Sequence, residues 1–190
     1  MSTYLSIDID FWNKNRDYEH LRNFLELVRA SSSNISIVDS HEQLKDHVNR
    51  SNCSTLINVD YHSDIYDIKN PVYKDETFNC GTWVNFVDFR YKGKFVWIHP
   101  HPSNRISNGY CHGEGNPFLN PRISGWNNVC KIHSKYPEEH IDWGDIMAIG
   151  VAFSYKWLRD GVNDKIVCIA KNILGKRPQI NSRALIGKNS

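Results

Sequence analysis

The sequence lacks the features that mark several large classes of protein. No uninterrupted apolar run comes near the length of about 20 residues that a membrane-spanning helix requires. The stretch MSTYLSIDIDFW has no basic segment followed by an apolar one, so we expect no signal peptide. The formal net charge is only +2 and the charges are spread along the chain, which leaves no basic stripe for nucleic acid. We therefore expect neither a membrane nor a nucleic acid as a partner.

Cysteine is scarce, and no cysteine pair has the spacing of a structural motif. The five cysteines are odd in number and scattered, which favours a reduced, cytoplasmic protein over a disulfide scaffold. Hydrophobic residues make up 40% of the 190 residues and aromatic residues 12%, which is a globular composition. This length suits one domain with a sizeable core, so we predict a single domain over residues 1–190.

Strands and helices are predicted to alternate along the chain. Buried strands are predicted over 4–11, 34–40, 54–61, 94–100 and 145–153, and helices over 17–30, 41–50, 82–89 and 163–175. That alternation is typical of an α/β fold with a parallel sheet and helices on both faces. In such sheets, sites form at the carboxyl ends of the strands. Residues 100–140, rich in Pro and Gly, are predicted to form a long irregular functional loop region.

Two acidic stretches follow predicted strands. LINVDYHSD places Asp60, His62 and Asp64 at every second position, and SIDID does the same with Asp8 and Asp10. Alternate side chains of a strand point to one face, so each set should converge. Several carboxylates at one sheet edge repel each other unless a cation lies between them. Carboxylate and imidazole ligands without thiolate favour Mn²⁺ over structural zinc.

A further histidine, His41, directly follows the predicted strand ISIVDS and is a sixth candidate ligand at the same edge. Taken singly, each of these residues has an ordinary structural interpretation. A lone Asp at a strand end is most often a helix N-cap or turn former, as we expect for Asp39. A lone His is usually a satisfied polar residue, the interpretation we favour for His20, His47, His133 and His140. Two alternating clusters are harder to explain in this way, because burying unpaired carboxylates costs several kcal/mol each.

These motifs resemble those of the arginase (ureohydrolase) family. DYHSD resembles the family's D-x-H-x-D motif, SIDID its S-x-D-x-D motif, and VDSHEQL the segment that supplies the first metal histidine in atypical members. The resemblance implies a three-layer α/β domain with a mainly parallel sheet and two bound manganese ions. Asp60 and Asp8 would bridge the ions. The resemblance adds His41 and Asp64 to one ion, and His62 and Asp10 to the other.

The order of the motifs is reversed relative to ordinary arginases, as in a permuted chain, and this chain is shorter. In these respects it resembles the peptide arginases of bacterial ribosomal-peptide pathways. That resemblance implies a hydrolase that converts arginine side chains within a precursor peptide to ornithine and releases urea. The stretch IYDIKNPVYKDETF after DYHSD does not match the segment with which ordinary arginases hold free arginine, which leaves room for a peptide.

Candidates for proton transfer and substrate binding lie further along the chain. WIHPHP places His99 and His101 just beyond a predicted strand, and GYCHGEG places His112 and Glu114 in a glycine-rich loop. A histidine suits proton transfer, and Glu114 would suit a guanidinium as a carboxylate fork. The structural alternative is that the histidines shape a proline-rich turn and that Glu114 is solvated.

Other functions remain open from the sequence. One is a related metal-dependent amidohydrolase of the deacetylase type, which would use a single zinc; this chain has no adjacent histidines of the kind those enzymes pair. Another is a ureohydrolase that acts on a small guanidino compound. A third is a binding module whose metal ligands serve structure only. The sequence does not indicate an oligomeric state.

Overall fold

The computed structural model describes residues 2–12, 17–32, 34–64, 78, 80–100, 126, 128–155 and 163–175. These residues contain six strands and three α-helices. The strands are β1 (Thr3–Asp8), β2 (Ile35–Val38), β3 (Thr55–Val59), β4 (Lys94–His99), β5 (Asn128–His133) and β6 (Ile146–Ala152). The helices are α1 (Tyr18–Ser31), α2 (Lys45–Arg50) and α3 (Asn163–Leu174).

The six strands form one all-parallel sheet in the order β2-β6-β1-β3-β4-β5. β1 lies in the interior of this sheet, between β6 and β3, and all six of its residues are buried. All-parallel sheets are covered on both faces, which is why their central strands are apolar almost throughout. The prediction of an α/β fold with a parallel sheet and helices on both faces is confirmed.

Two hydrophobic cores lie on opposite faces of the sheet. On one face, α1 and α3 pack on side chains such as Leu5 and Ile7 of β1. On the other face, α2 and the 3-10 helices His41–Leu44 and Trp83–Phe86 pack on Tyr4. Successive residues of β1 therefore alternate between the two cores, and Ser6 and Asp8 fall on the face that α2 covers.

Helix α1 illustrates how the sequence specifies a helix through its N-cap and its apolar face. Asp17 is the N-cap, and its side chain accepts a hydrogen bond from the backbone N–H of His20 at 3.0 Å. Such a bond satisfies one of the four free N–H groups at a helix start. Apolar residues at helical spacing then face the sheet, among them Leu21, Leu25 and Val28, all fully buried.

The structure corrects several predicted boundaries. Residues 100–140 were expected to be irregular throughout, but β5 lies within them. β5 is an edge strand and is only half-buried, so its sequence carries no strong apolar alternation. The short helix predicted over 82–89 is instead two 3-10 helices, Trp83–Phe86 and Asp88–Tyr91. β1 ends at Asp8 and continues as the 3-10 helix Ile9–Trp12.

A search of the described residues for a bilayer-crossing helix found none of sufficient length and apolar character.

Candidate metal centre

Two adjacent strands bring the acidic stretches together. β1 and β3 pair in parallel with Ile7 opposite Val59, so Asp8 and Asp60 reach the same edge of the sheet side by side. Both carboxylates lie on the face that α2 covers, because Asp8 alternates with Ile7 and Asp60 with Val59. Parallel strands end together at one edge, and this edge is where α/β proteins place their sites.

His41 joins this edge from the second strand. It is the first residue of the 3-10 helix His41–Leu44, which follows β2. Gln43 stabilises the start of that helix, because its Oε1 accepts hydrogen bonds from the backbone N–H groups of Asp39 at 3.1 Å and Ser40 at 3.4 Å. The imidazole of His41 is buried, with only 2% of its side chain exposed.

A first group of ligand atoms consists of Asp8, His41 and Asp60, whose ligand atoms all lie within 4.8 Å of one another. His41 Nδ1 is 3.4 Å from Asp8 Oδ2 and 3.0 Å from Asp60 Oδ2. Asp64 adds a third carboxylate, with its Oδ2 at 2.8 Å from the same nitrogen. One imidazole nitrogen and three carboxylates therefore converge on one small volume.

A second group consists of Asp10, Asp60 and His62, again with ligand atoms within 4.8 Å of one another. His62 Nδ1 is 3.5 Å from Asp10 Oδ2 and 3.9 Å from Asp60 Oδ1. Asp60 belongs to both groups and faces each with a different oxygen. The second group is also the more open one, because 26% of the His62 side chain is exposed.

The geometry of His41 tests whether these residues fit a cation. Its Nε2 lies 2.7 Å from Ser6 Oγ, and a proton on Nε2 leaves the Nδ1 lone pair facing three carboxylates. Among the described residues, Nδ1 has no hydrogen-bond partner despite these distances, and neither has the buried Oδ1 of Asp10. Lone pairs converging in this way fit a metal ion. The buried Asp/His groups could therefore hold a metal ion.

The electrostatics of the site support the same conclusion. Burial raises the pKa of Asp8 well above its ordinary value, and the neighbouring charges of Asp10 and Asp60 raise it further. For His41, burial lowers the pKa. The carboxylates of Asp64 and Asp60 outweigh this effect and raise the pKa of His41 well above its usual range. Without a cation the cluster would therefore retain protons, and a bound metal would take their place.

Several residues that hold the ligands were not predicted as part of the site. Ser154 Oγ donates to Asp8 Oδ2 at 2.5 Å, and the indole Nε1 of Trp83 donates to Asp64 Oδ2 at 2.7 Å. Asn58 Nδ2 donates to Asp60 Oδ2 at 3.4 Å. Ser6 and Asn58 could have been found, since each precedes an acidic residue by two positions on the same strand face. Ser154 and Trp83 have no such local signal.

The predicted site residues have different outcomes. The structure brings together the six candidate ligands, which are Asp8, Asp10, His41, Asp60, His62 and Asp64. His99 ends β4 and is fully buried, with its ring stacked on Trp97 at 4.4 Å and 5.5 Å from the ring of His133. His101, His112 and Glu114 lie outside the described residues. The catalytic roles of these four residues stay predictions.

The four histidines expected to be structural have ordinary contacts. His20 accepts a hydrogen bond from Trp12 Nε1 at 2.9 Å and pairs with Glu138 at 3.0 Å. His47 Nδ1 lies 2.9 Å from Ser36 Oγ, and His133 Nε2 lies 3.3 Å from the carbonyl oxygen of Pro100. His140 is exposed at the end of a 3-10 helix.

Comparison of the chain with family models, curated proteins and solved structures gave no match in any of the three.

Proposed function

We propose that this chain is a dimanganese hydrolase that converts arginine side chains of a precursor peptide to ornithine and releases urea. The observation that carries the proposal is the shared carboxylate of Asp60, which belongs to both Asp/His groups. A residue that bridges two ions has to be placed in this way. The resemblance of DYHSD and SIDID to the arginase motifs supports the reaction, and the reversed motif order supports a peptide substrate.

The two groups divide the ligands between the proposed ions. His41 and Asp64 would serve the inner ion, and His62 and Asp10 the outer one, with Asp60 between them. Asp8 would be the second bridging ligand. Its carboxylate is held on both sides, by the backbone N–H of Asp10 at 3.2 Å and by Ser154. The donor set contains only carboxylate and imidazole, which suits Mn²⁺.

The charges of the site set a requirement for a cationic substrate. Once the metal has displaced the protons, the four buried aspartates would carry four negative charges, which two Mn²⁺ ions would balance. A dimanganese centre supplies a nucleophile from water at neutral pH. A guanidinium is always cationic in water, so it would need a further carboxylate that the ions do not neutralise, the role proposed for Glu114. The partial exposure of His62 is consistent with the entry of a guanidinium from that side of the centre.

The reaction balances with water as the only co-substrate. Water adds to the guanidinium carbon, the bond from that carbon to the side-chain nitrogen breaks, and the nitrogen leaves as an amine after it gains a proton. The products are ornithine in the peptide and urea. We assign the proton transfer to one of His99, His101 and His112, and guanidinium binding to Glu114. Proton transfer of this kind contributes about 10²–10⁴-fold to a rate.

Peptide mass spectrometry tests the proposal directly. The metal-free protein is reloaded with Mn²⁺ and incubated with short synthetic peptides that each contain one arginine, with free arginine in a parallel arm. We expect a peptide mass loss of about 42 Da, the difference between arginine and ornithine after hydrolysis. We also expect two manganese ions per chain by elemental analysis.

Variants of the ligands sharpen this test. Asp8→Ala and His62→Ala should abolish the mass change, whereas Asp46→Ala, which alters an exposed aspartate of α2, should retain it. Unchanged masses across all the peptides with a fully loaded centre would contradict the peptide substrate. One tightly held zinc ion per chain would contradict the dimanganese centre. Turnover of free arginine alone would favour a small guanidino substrate.

A further inference from the structure

Ser154 adopts a backbone conformation that a serine rarely takes. Its φ is 44°, in the left-handed region, where a side chain with a Cβ is crowded by the backbone. Only two other non-glycine residues in the described part of the chain have positive φ, Asn52 and Asp64. Asn and Asp tolerate this region better than most residues, because their side chains can bond locally to the backbone. Ser154 is therefore the least expected of the three.

The contacts of Ser154 explain what this conformation achieves. Ser154 lies two residues beyond the end of β6, and Ala152 at that end pairs with Asp8 of β1. The preceding residue, Phe153, is fixed by its backbone N–H, which donates to the carbonyl of Val38 at 3.0 Å. The chain then turns, and the buried hydroxyl of Ser154 donates to Asp8 Oδ2 at 2.5 Å. A residue 146 positions away in sequence thus fixes a carboxylate of the centre.

We propose that Ser154 is a positioning residue of the metal centre, whose hydroxyl orients the Asp8 carboxylate, and that its left-handed backbone conformation is retained for this purpose. Backbone conformations of this kind persist where the surrounding structure enforces them, and they concentrate at functional sites. The Asp8 carboxylate then has one oxygen on the N–H of Asp10 and the other on Ser154, which leaves a single orientation toward His41. This inference rests on the metal centre of the proposed function but not on its substrate.

Substitution of Ser154 by glycine and by alanine distinguishes the effect of losing the hydroxyl from the effect of relieving the backbone conformation. Ser154→Gly removes the hydroxyl and relieves the backbone, because glycine enters the left-handed region without strain. Ser154→Ala removes the hydroxyl and keeps the strain. Asn52→Gly is the matched control: it relieves a positive φ of 55° at an exposed turn outside the centre. Mn²⁺ affinity is measured by calorimetric titration of the metal-free proteins, and stability by thermal melting with a chelator.

We expect both Ser154 variants to bind Mn²⁺ about 10- to 100-fold more weakly than the wild type, the usual loss when a residue that holds a metal ligand is removed. Ser154→Gly should melt at a higher temperature than Ser154→Ala, and Asn52→Gly should bind Mn²⁺ like the wild type. If the alanine variant does not fold, the Mn²⁺ affinity of Ser154→Gly alone tests the role of the hydroxyl.

Wild-type Mn²⁺ affinity in Ser154→Gly would overturn the inference, because the hydroxyl would then be dispensable. Equal losses in Ser154→Gly and Asn52→Gly would overturn it as well, since the effect would not be specific to the centre. Weaker binding by Ser154→Gly, together with no turnover of any arginine peptide by the wild type, would support the role of Ser154 and contradict the proposed substrate.

Discussion

Asp60 links the two halves of the candidate metal centre at the scale of single residues. Its Oδ2 lies 3.0 Å from His41 Nδ1, and its Oδ1 lies 3.9 Å from His62 Nδ1. The backbone N–H of His62 donates to the same Oδ1 at 2.8 Å, so the carboxylate cannot turn freely. Among the residues that the structure describes, the histidine that pairs with Asp64 is His41. Loss of Asp60 should therefore affect both of the proposed ions, and loss of Asp64 only one.

We predict that Asp60→Asn and Asp64→Asn differ in metal stoichiometry. An amide keeps the shape of the side chain but places an NH₂ group, which cannot bind a cation, toward one of the histidines. At Mn²⁺ concentrations that saturate the wild type, Asp64→Asn should retain one ion and Asp60→Asn none. Equilibrium dialysis followed by elemental analysis measures this, with Asp46→Asn as the surface control. Equal stoichiometry in both ligand variants would refute the shared role of Asp60.

Sequence reasoning at this scale succeeded where a buried strand leads directly to the residue. Asp8 ends β1 and Asp60 follows β3, so the parallel pairing of these strands brings both to one edge of the sheet. His62 was predicted from strand alternation, but it lies beyond the end of β3 at Val59. Ser154 and Trp83 could not be predicted in this way. Each reaches the site from a distant part of the chain, and the bonds they make depend on packing rather than on spacing.

At the scale of elements, Gly150 of β6 makes room for the helix that carries His41. A Cβ at this position would lie 2.6 Å from Leu44 Cδ2 and 2.6 Å from the Tyr4 hydroxyl oxygen. Both side chains are almost completely buried, so neither can swing away. Leu44 is the last residue of the 3-10 helix His41–Leu44, and a shift of that helix would move the imidazole.

We predict that Gly150→Ala lowers both stability and metal affinity. Overpacking of this kind costs about 1–3 kcal/mol, and the displaced imidazole should weaken Mn²⁺ binding. Chemical denaturation and calorimetric titration measure the two effects. Gly144→Ala is the control, because Gly144 is exposed and its nearest neighbour for a Cβ is Asp142 Oδ1 at 3.4 Å. A Gly150→Ala protein with wild-type stability would show that the packing around Leu44 can adjust.

Strands were predicted where their sequence is rich in apolar residues, including the half-buried edge strand β2 with its sequence ISIV, and the more polar edge strand β5 was missed. β1 and β3 are buried over their whole length, and their apolar runs marked them in the sequence. β5 was missed because it is an edge strand that is only half-buried. Its sequence, NVCKIH, therefore contains polar residues and lacks the apolar run by which the buried strands were identified. The 3-10 helices were missed as such, since single turns carry too few residues for a clear period.

At the scale of the whole molecule, metal binding and folding should be coupled through protons. Burial lowers the pKa of His62, but the carboxylate of Asp10 outweighs it and raises the pKa to about 9. A group with a raised pKa in the folded state stabilises the fold below its unfolded value, about 6.5 for histidine. That stabilisation is lost as the pH rises through the folded value. The metal-free protein should thus lose stability between about pH 6.5 and pH 9.

We predict that the pH dependence of the Tm differs between the metal-free and the manganese-loaded protein. In a chelator, the Tm should fall as the pH is raised from about 6.5 to 9. In saturating Mn²⁺ the ions take the place of the protons, so the gain in Tm over the chelator sample should grow with pH. Ligand at 100 times its Kd adds about 2.7 kcal/mol of stability. A Tm that is the same with Mn²⁺ and with chelator at every pH would argue against a metal centre.

The position of β6 in the sheet has a consequence for biosynthesis. β6 inserts between β1 and β2, so it separates the strand that ends at Asp8 from the strand that leads to His41. A ribosome makes β1 and β2 first and β6 last of the six. Among the described strands, β6 is the one that pairs with both of them, so their final spacing in the sheet requires that β6 has left the exit tunnel. We therefore expect the nascent polypeptide to remain unable to bind a metal at the candidate centre until the sixth strand has been translated.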